Sequence, residues 1–368
     1  MNSIYRPTQL LVDLKAIEKN IANIKKMIGN GVQLMPVVKA NGYGTHLNFM
    51  NEILSSFDYI AVALVDEAIA IRDIGYKHNI LVLNPPVKEE YDAIIKYNLT
   101  VNGCNYDTLL KLNSIVDGQI KIHIELETGM GRTGVAIDDL DAFLKKIKLL
   151  NNIEIDGVFS HFSSSSKNLN YSHCQIVEFD KGLEIFKDNN INPKNIHLCS
   201  SGALLNFKDK LYNMVRIGIM LYGYYPNKQL KEKIKLYPSM ILKTKINFLK
   251  EISIGTAVGY NKNFIAKRVT EVATIPFGFA DGLIGLETGD PCVIVNERKA
   301  KIIGICMDNM MIDVTDIENV QLETDVYIWD NKNLTVEEIA TWCNGICNYE
   351  IISSLSERIP RVIEKNII

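Results

Sequence analysis

No stretch of this 368-residue chain approaches the roughly eighteen uninterrupted apolar residues that read as a membrane span. Its start, MNSIYRPTQLLVDL, has no cationic segment ahead of an apolar core, so no secretory signal is expected and the cytoplasm is the default compartment. An excess of one charge is missing too. The 40 Lys and Arg stand against 43 Asp and Glu, a formal net charge of −3, and no basic run is interleaved with aromatics. The usual grounds for a nucleic-acid partner are therefore absent. The seven cysteines lie scattered from Cys104 to Cys347 without a C-x-x-C pair, and Cys343 and Cys347 stand too far from histidines to suggest zinc. Reduced, mostly buried thiols and no metal are expected.

What is present is an ordinary globular composition, 47% hydrophobic and 23% charged, in a length that suggests two domains. Short β-branched runs lie at 33–39, 59–64, 80–84, 99–102, 119–126, 153–162, 195–199 and 212–217. Between them fall segments with helical spacing, at 14–28, 66–74, 138–150 and 176–188. Eight strands alternating with helices point to an α/β fold, a (β/α)8 TIM barrel, with a doubly wound sheet as the alternative. After Tyr225 and Pro226 comes a charged segment, NKQLKEKIKLYP, and the pattern changes. Runs at 240–249, 268–275, 291–296, 299–306, 309–314 and 324–330 alternate apolar and polar residues, and only 335–343 looks helical, with Asn333 as its cap. The division is a barrel over 1–234 and a mostly β C-terminal domain over 235–368, with about the first ten residues free to pack on the latter. No internal repeat stands out, and four serines at 163–166 mark a loop.

A barrel of this kind carries its function at the C-terminal ends of the strands, with phosphate bound after strands seven and eight. The candidate residues fall there. Lys39 ends strand one and enters the turn Asn41-Gly42-Tyr43-Gly44; Arg132 follows strand five; His161 closes strand six. Ser200, Ser201 and Gly202 follow strand seven, and Arg216, Gly218 and Ile219 end strand eight. Small residues with N–H groups at those two ends suit a phosphate. Each alone reads equally well as a solvated charge, a structural histidine or a turn; their shared rim gives them weight. A G-x-G-x-x-G spacing at Gly129, Gly131 and Gly134 is discounted, because a dinucleotide fingerprint belongs to the first βα turn and this one follows the fifth strand.

The segments around these residues resemble the alanine racemase family. PVVKANGYG at 36–44 is similar to its lysine motif for pyridoxal 5'-phosphate (PLP), and ETGMGRTGV at 127–135, SHF at 160–162 and RIGIMLYG at 216–223 follow in order. TAVGY at 256–260, IPFGFADG at 275–282 and CMDNMMIDV at 306–314 do the same in the second domain. The resemblance implies a PLP-binding barrel followed by a β-rich domain, a homodimer with active sites shared between subunits, and racemisation of a small amino acid. It implies that Lys39 binds the cofactor covalently and is the base on one face of the substrate, while Tyr260 of a second subunit is the base on the other. Arg216 then lies against the pyridine nitrogen with His161 behind it, and Tyr43, Ser201, Gly218 and Ile219 hold the phosphate. Arg132 and the backbone of Met307 meet the substrate carboxylate.

Racemisation removes the α-proton from one face and returns it on the other, which asks for two bases. An opposing tyrosine needs a cationic neighbour such as Arg132 to act as one. An arginine cannot give up its proton, so at the pyridine nitrogen it leaves that nitrogen unprotonated and weakens the electron sink. Relatives often carry a carbamylated lysine seven residues before the carboxylate-binding arginine; Glu125 stands there and is expected to supply that negative charge, unless it lies on the outer face of its strand. Other departures concern the substrate entrance and the phosphate: Phe279 for tyrosine, no arginine at 283–285 or 304–305, Ser200 for asparagine, Thr45 for histidine, and no tyrosine near Glu357. Alternatives are a racemase for serine, lysine or a broader range, a PLP-dependent decarboxylase, against which Arg216 argues, and a non-catalytic PLP binder, which would have lost Lys39 or Tyr260.

Overall fold

The computed structural model describes residues 5–365 apart from 166, 167, 205, 228–230, 284, 287, 288, 344 and 345. Ser166 of the serine loop and 228–230 of the charged segment therefore lie outside the described residues. Twenty strands follow in chain order: β1 Gln9–Val12, β2 Gln33–Pro36, β3 Tyr59–Val62, β4 Asn79–Val82, β5 Thr100–Asn102, β6 Ile120–Glu127, β7 Val135–Ala136, β8 Ile153–Phe159, β9 Asn195–His197 and β10 Met214–Ile217 make the first ten. The remainder are β11 Met240–Lys245, β12 Phe248–Ile252, β13 Ala257–Val258, β14 Phe264–Ile265, β15 Thr270–Ile275, β16 Cys292–Val295, β17 Arg298–Ile305, β18 Met310–Asp313, β19 Asp325–Trp329 and β20 Arg361–Ile363.

Each of the eight apolar runs expected in the barrel holds one parallel strand. β3, β4, β5, β6, β8 and β9 pair in that order, and β10 pairs with β2. Single bridges, Val37 with Ala61 and Ser200 with Arg216, join the two groups, so the eight strands close into a barrel and the doubly wound alternative falls. The strands are buried on both faces because helices cover the outside. The first helix, Leu14–Ile28, shows how: Asp13 accepts hydrogen bonds from the amides of Lys15 and Ala16, and Ile17, Ile21, Ile24 and Ile28 turn one apolar stripe to the barrel. Short helices at Tyr91–Lys96 and Tyr106–Ile115 complete the alternation where the sequence pattern was too weak to show them.

The second unit is a nine-stranded sheet in the order β12-β15-β18-β17-β16-β19-β11-β1-β20, antiparallel except for the β1–β20 pair, with a small β13–β14 ribbon beside it. β1 thus leaves the barrel's own chain segment and pairs between β11 and β20. Three expectations need correction here. The run 240–249 holds two strands, β11 and β12, rather than one. The helix Val336–Trp342 is capped by Thr335 and Glu338 in a reciprocal pair, while Asn333 donates its side-chain amide to Asp330. A second helix, Asn348–Ser353, was not expected; at six residues it is too short to show a period. Of the seven free cysteines, Cys199, Cys292 and Cys343 are buried, but Cys174 and Cys347 are exposed.

Candidate active site

At the C-terminal rim of the barrel a cavity of about 330 Å³ opens, lined by Lys39, Tyr43, Arg132, His161, Ser200, Ser201, Arg216, Gly218 and Ile219. Lys39 leaves β2 into an unusual turn. Ala40, Asn41, Gly42 and Tyr43 have φ of 53°, 52°, 67° and 53°, a left-handed turn in which three residues are not glycine. Such backbone costs on the order of 1–3 kcal/mol per residue and persists only where its surroundings over-determine it. They do: the Ala40 amide donates to Glu67 Oε1 at 2.6 Å, the Leu47 amide to Asn41 Oδ1 at 3.0 Å, and Arg361 Nε to the Gly44 carbonyl at 3.0 Å. Burial pushes the Lys39 ammonium below its usual range, and Arg132 and Arg216 add to that push while Glu67 opposes it.

Arg216 is buried at the cavity floor. Its Nη1 donates to His197 Nδ1 at 2.7 Å and to the His197 carbonyl at 2.9 Å; its Nη2 donates to the Ser160 carbonyl at 2.7 Å and to His161 Nδ1 at 3.1 Å. The fifth N–H, on Nε, is engaged by none of the described residues. A guanidinium only donates, so His161 and His197 must each accept on Nδ1. Burial, followed by Arg216, Arg132 and Lys39, lowers His161 to about 3, which keeps it neutral. Burial also pulls Arg216 down, to about 10, still protonated at neutral pH.

At the opposite end of the cavity the chain ends after β9 and β10 approach closely. The Gly218 amide donates to Ser201 Oγ at 3.2 Å, and a Cβ on Gly218 would run into the Tyr43 hydroxyl. A larger residue there would push on the Tyr43 ring. Glu125 is buried on β6, not on an outer face: Oε2 accepts from Asn102 Nδ2 and Thr133 Oγ1, both at 2.6 Å, and Oε1 stands 3.5 Å from Arg132 Nη2. The glycine-rich stretch at 129–134 is no phosphate loop, because the Gly129 and Gly131 amides donate to the Glu127 carboxylate at 2.5 and 2.8 Å.

Against known proteins, residues 12–226 match the model of the alanine racemase N-terminal domain and residues 239–363 that of its C-terminal domain. The chain belongs to the alanine racemase family. "Alanine racemase 2" of Caldanaerobacter subterraneus subsp. tengcongensis is 35% identical over 97% of this chain and 95% of its own length. "Alanine racemase 1" of Clostridium acetobutylicum is 35% identical over 98% and 96%. Among solved structures, alanine racemase of Clostridium difficile 630 aligns with a TM-score of 0.94 at 28% identity, over 99% of this chain and 97% of that one. The Bacillus anthracis alanine racemase with bound L-Ala-P aligns with a TM-score of 0.92 at 31% identity, over 99% and 97%. Membership in the alanine racemase family makes this chain an isomerase.

Two of the alanine racemase positions expected at the site lie elsewhere in this chain. Tyr260 follows the β13 strand and is 68% exposed, and Met307 is 55% exposed beside Phe279; neither lines the cavity. One residue was missed. Tyr349, on the unexpected helix Asn348–Ser353, lines the cavity with its ring centroid 6.4 Å from that of Tyr43. Nothing short of that helix could have placed it. No helix among the described residues is long and apolar enough to cross a membrane.

Proposed function

We propose that this protein is a PLP-dependent alanine racemase interconverting L- and D-alanine, with each active site completed by Tyr260 of a second copy. The observation that carries the reading is the pairing of Lys39, its charge weakened by burial and two arginines, with Arg216, whose distal donors are all engaged inside the barrel. The cavity fits PLP. A lysine amine faces it from one strand end, the hydroxyls of Tyr43 and Ser201 gather beside the glycine at 218 where a phosphate would sit, and Arg216 offers an N–H to a ring nitrogen. When bound, PLP supplies an aldehyde that makes the substrate's α-proton acidic.

Within that frame Lys39 Nζ removes or returns the α-proton on one face. The Tyr260 hydroxyl does so on the other; its exposure in one chain is what a residue serving another chain's site requires. Arg132, backed by Glu125, binds the substrate carboxylate, and the Met307 backbone closes on it from the same side as Tyr260. Arg216 stays protonated and donates, so it offers no proton to the cofactor ring, which limits side reactions. His161 remains neutral behind it. The boundary between the two functional units falls at 234–235.

The experiment is to incubate the PLP-loaded protein separately with L-alanine, L-serine and L-lysine and follow the loss of optical rotation. Racemisation of alanine, abolished by Lys39→Ala, is expected. Racemisation confined to serine or lysine would keep the chemistry and replace the substrate, with Phe279 the first residue to change; no racemisation of any of the three with PLP bound would sink the reading.

A further inference from the structure

Barrel interiors are ordinarily filled by layers of branched aliphatic side chains. Here the floor beneath Arg216 continues as polar residues. His197 Nε2 lies 2.7 Å from His123 Nδ1, and His123 Nε2 points at Asp156 Oδ2, 3.6 Å away, with no nearer partner among the described residues. Asp156 Oδ2 accepts from the Tyr59 hydroxyl at 2.5 Å and from Asn195 Nδ2 at 2.8 Å. Tyr59 on β3 and Asp156 on β8 are three strands removed from adjacency in the sheet, so they meet through the barrel interior. Lys194, at the start of β9, stands 3.5 Å from Asp156 Oδ1 and marks the opposite, N-terminal end of the barrel.

Two local features serve this arrangement and nothing else visible. The β6–β8 register shifts at Asp156, so that Ile122 faces Ile155 and His123 faces Gly157. That bulge re-aims the Asp156 side chain. Gly157 has an ordinary backbone, but a Cβ there would meet three atoms of the His123 ring at 2.6–2.7 Å. The glycine makes room for the imidazole.

The proton positions follow from the two ends. Arg216 only donates, so His197 accepts on Nδ1 and carries its proton on Nε2. His123 must then accept on Nδ1 and carry its own proton on Nε2, directed at the carboxylate. Burial lowers both histidines and keeps them neutral. Burial alone would raise Asp156, but the neighbouring His123 ring and the hydrogen bond from Tyr59 outweigh it and hold the carboxyl below its usual range.

We propose that Asp156 is a positioning residue for Arg216, acting on the hydrogen-bonded His123–His197–Arg216 column through its 3.6 Å contact with His123 Nε2, and that this order of protons leaves the Arg216 Nε–H as the donor turned to the cavity. The role in catalysis rests on the alanine racemase reading; the order of protons does not. The test is nitrogen-15 NMR of the histidine rings in the PLP-loaded protein, with His123 and His197 assigned by replacement with Gln. Both rings should be neutral with the proton on Nε2 between about pH 6 and 9. In Asp156→Asn, His123 should sample both tautomers, the absorption band of bound PLP should shift, and kcat should fall about tenfold with KM little changed. Asp156→Glu should recover part of the spectral shift, which a merely structural loss would not. A wild-type His197 carrying its proton on Nδ1 overturns the proposal even if Asp156→Asn fails to fold; so do wild-type tautomers and spectrum in a folded Asp156→Asn. Because tautomers are read without substrate, absence of alanine racemisation leaves this result interpretable on its own.

Discussion

The barrel rim and the β-rich domain present functional residues in opposite ways. At the rim, Arg216 and Glu125 are buried and held by several hydrogen bonds each, and His161 and Ser201 are tied to Arg216 and to the Gly218 amide. On the β-rich domain, Tyr260, Met307 and Phe279 stand exposed. One region is finished within a single chain; the other awaits a surface to meet. In the first, function and stability share the same contacts, so a substitution disturbs both. In the second they are separable.

The largest expected effect tests this division directly. Lys39→Ala and Tyr260→Phe should each lower turnover by about 10²–10⁴-fold or more, with PLP still held by Tyr260→Phe. Mixing the two inactive proteins and allowing subunits to exchange should restore about one quarter of wild-type activity, since half the dimers are mixed and one of their two sites is intact. No restoration, with exchange shown by mass, would place Tyr260 outside a shared site. Tyr260→Phe should also leave the unfolding free energy within about 0.5 kcal/mol of wild type, as an exposed residue does.

Glu125→Gln should raise KM for alanine about tenfold through a loosened Arg132, read by steady-state kinetics. An unchanged KM and kcat would make Glu125 a purely structural residue. Three histidines around Arg216, two of them fully buried, give a pH signature on the barrel side. His161, His197 and His123 are all lowered by burial, so the unfolded chain binds protons that the folded one refuses. Their contribution is complete above the ordinary histidine range and is lost as pH falls below about 6.5, at up to about 1.4 kcal/mol per pH unit for each. Chemical denaturation between pH 7.5 and about 5.5 should show stability falling, and a flat profile would contradict three neutral rings. Gly157→Ala should cost about 1–3 kcal/mol of stability by pressing on the His123 ring, read by chemical denaturation.

Much of the barrel was legible because each strand is a short apolar run and each buried strand reads the same way. The rim was legible once the strands were in order, since Lys39, Arg132, His161 and Ser201 fall just past strand ends and Arg216 one residue before its strand ends. What the pattern could not show was anything made by register. His123, Asp156 and His197 come together only because β8 carries an extra residue between β6 and β9, and Gly157 inside an apolar run was the single local hint of it. The helix Asn348–Ser353 escaped for a different reason: it has too few residues for a period, and Tyr349 went with it. Thr335 and Asn333 compete as caps on equal chemical terms, and the Glu338 that decides between them lies three residues past Thr335.

The placement of β1 sets the order in which the molecule can be built. Leu10 pairs with Leu242 on one side and with Arg361 on the other, so the first strand to emerge during synthesis finds no neighbour until more than two hundred further residues have followed. Its second neighbour, Arg361–Ile363, is the last strand among the described residues. The helix Leu14–Ile28 and the barrel behind it can gather while the ribosome still holds the rest, but the nine-stranded sheet is sealed last, by joining the two ends of the chain across their largest separation. A chain ending near residue 235, before Met240–Lys245, should therefore carry a protected barrel and an unprotected Gln9–Val12, a difference that pulsed proteolysis can read.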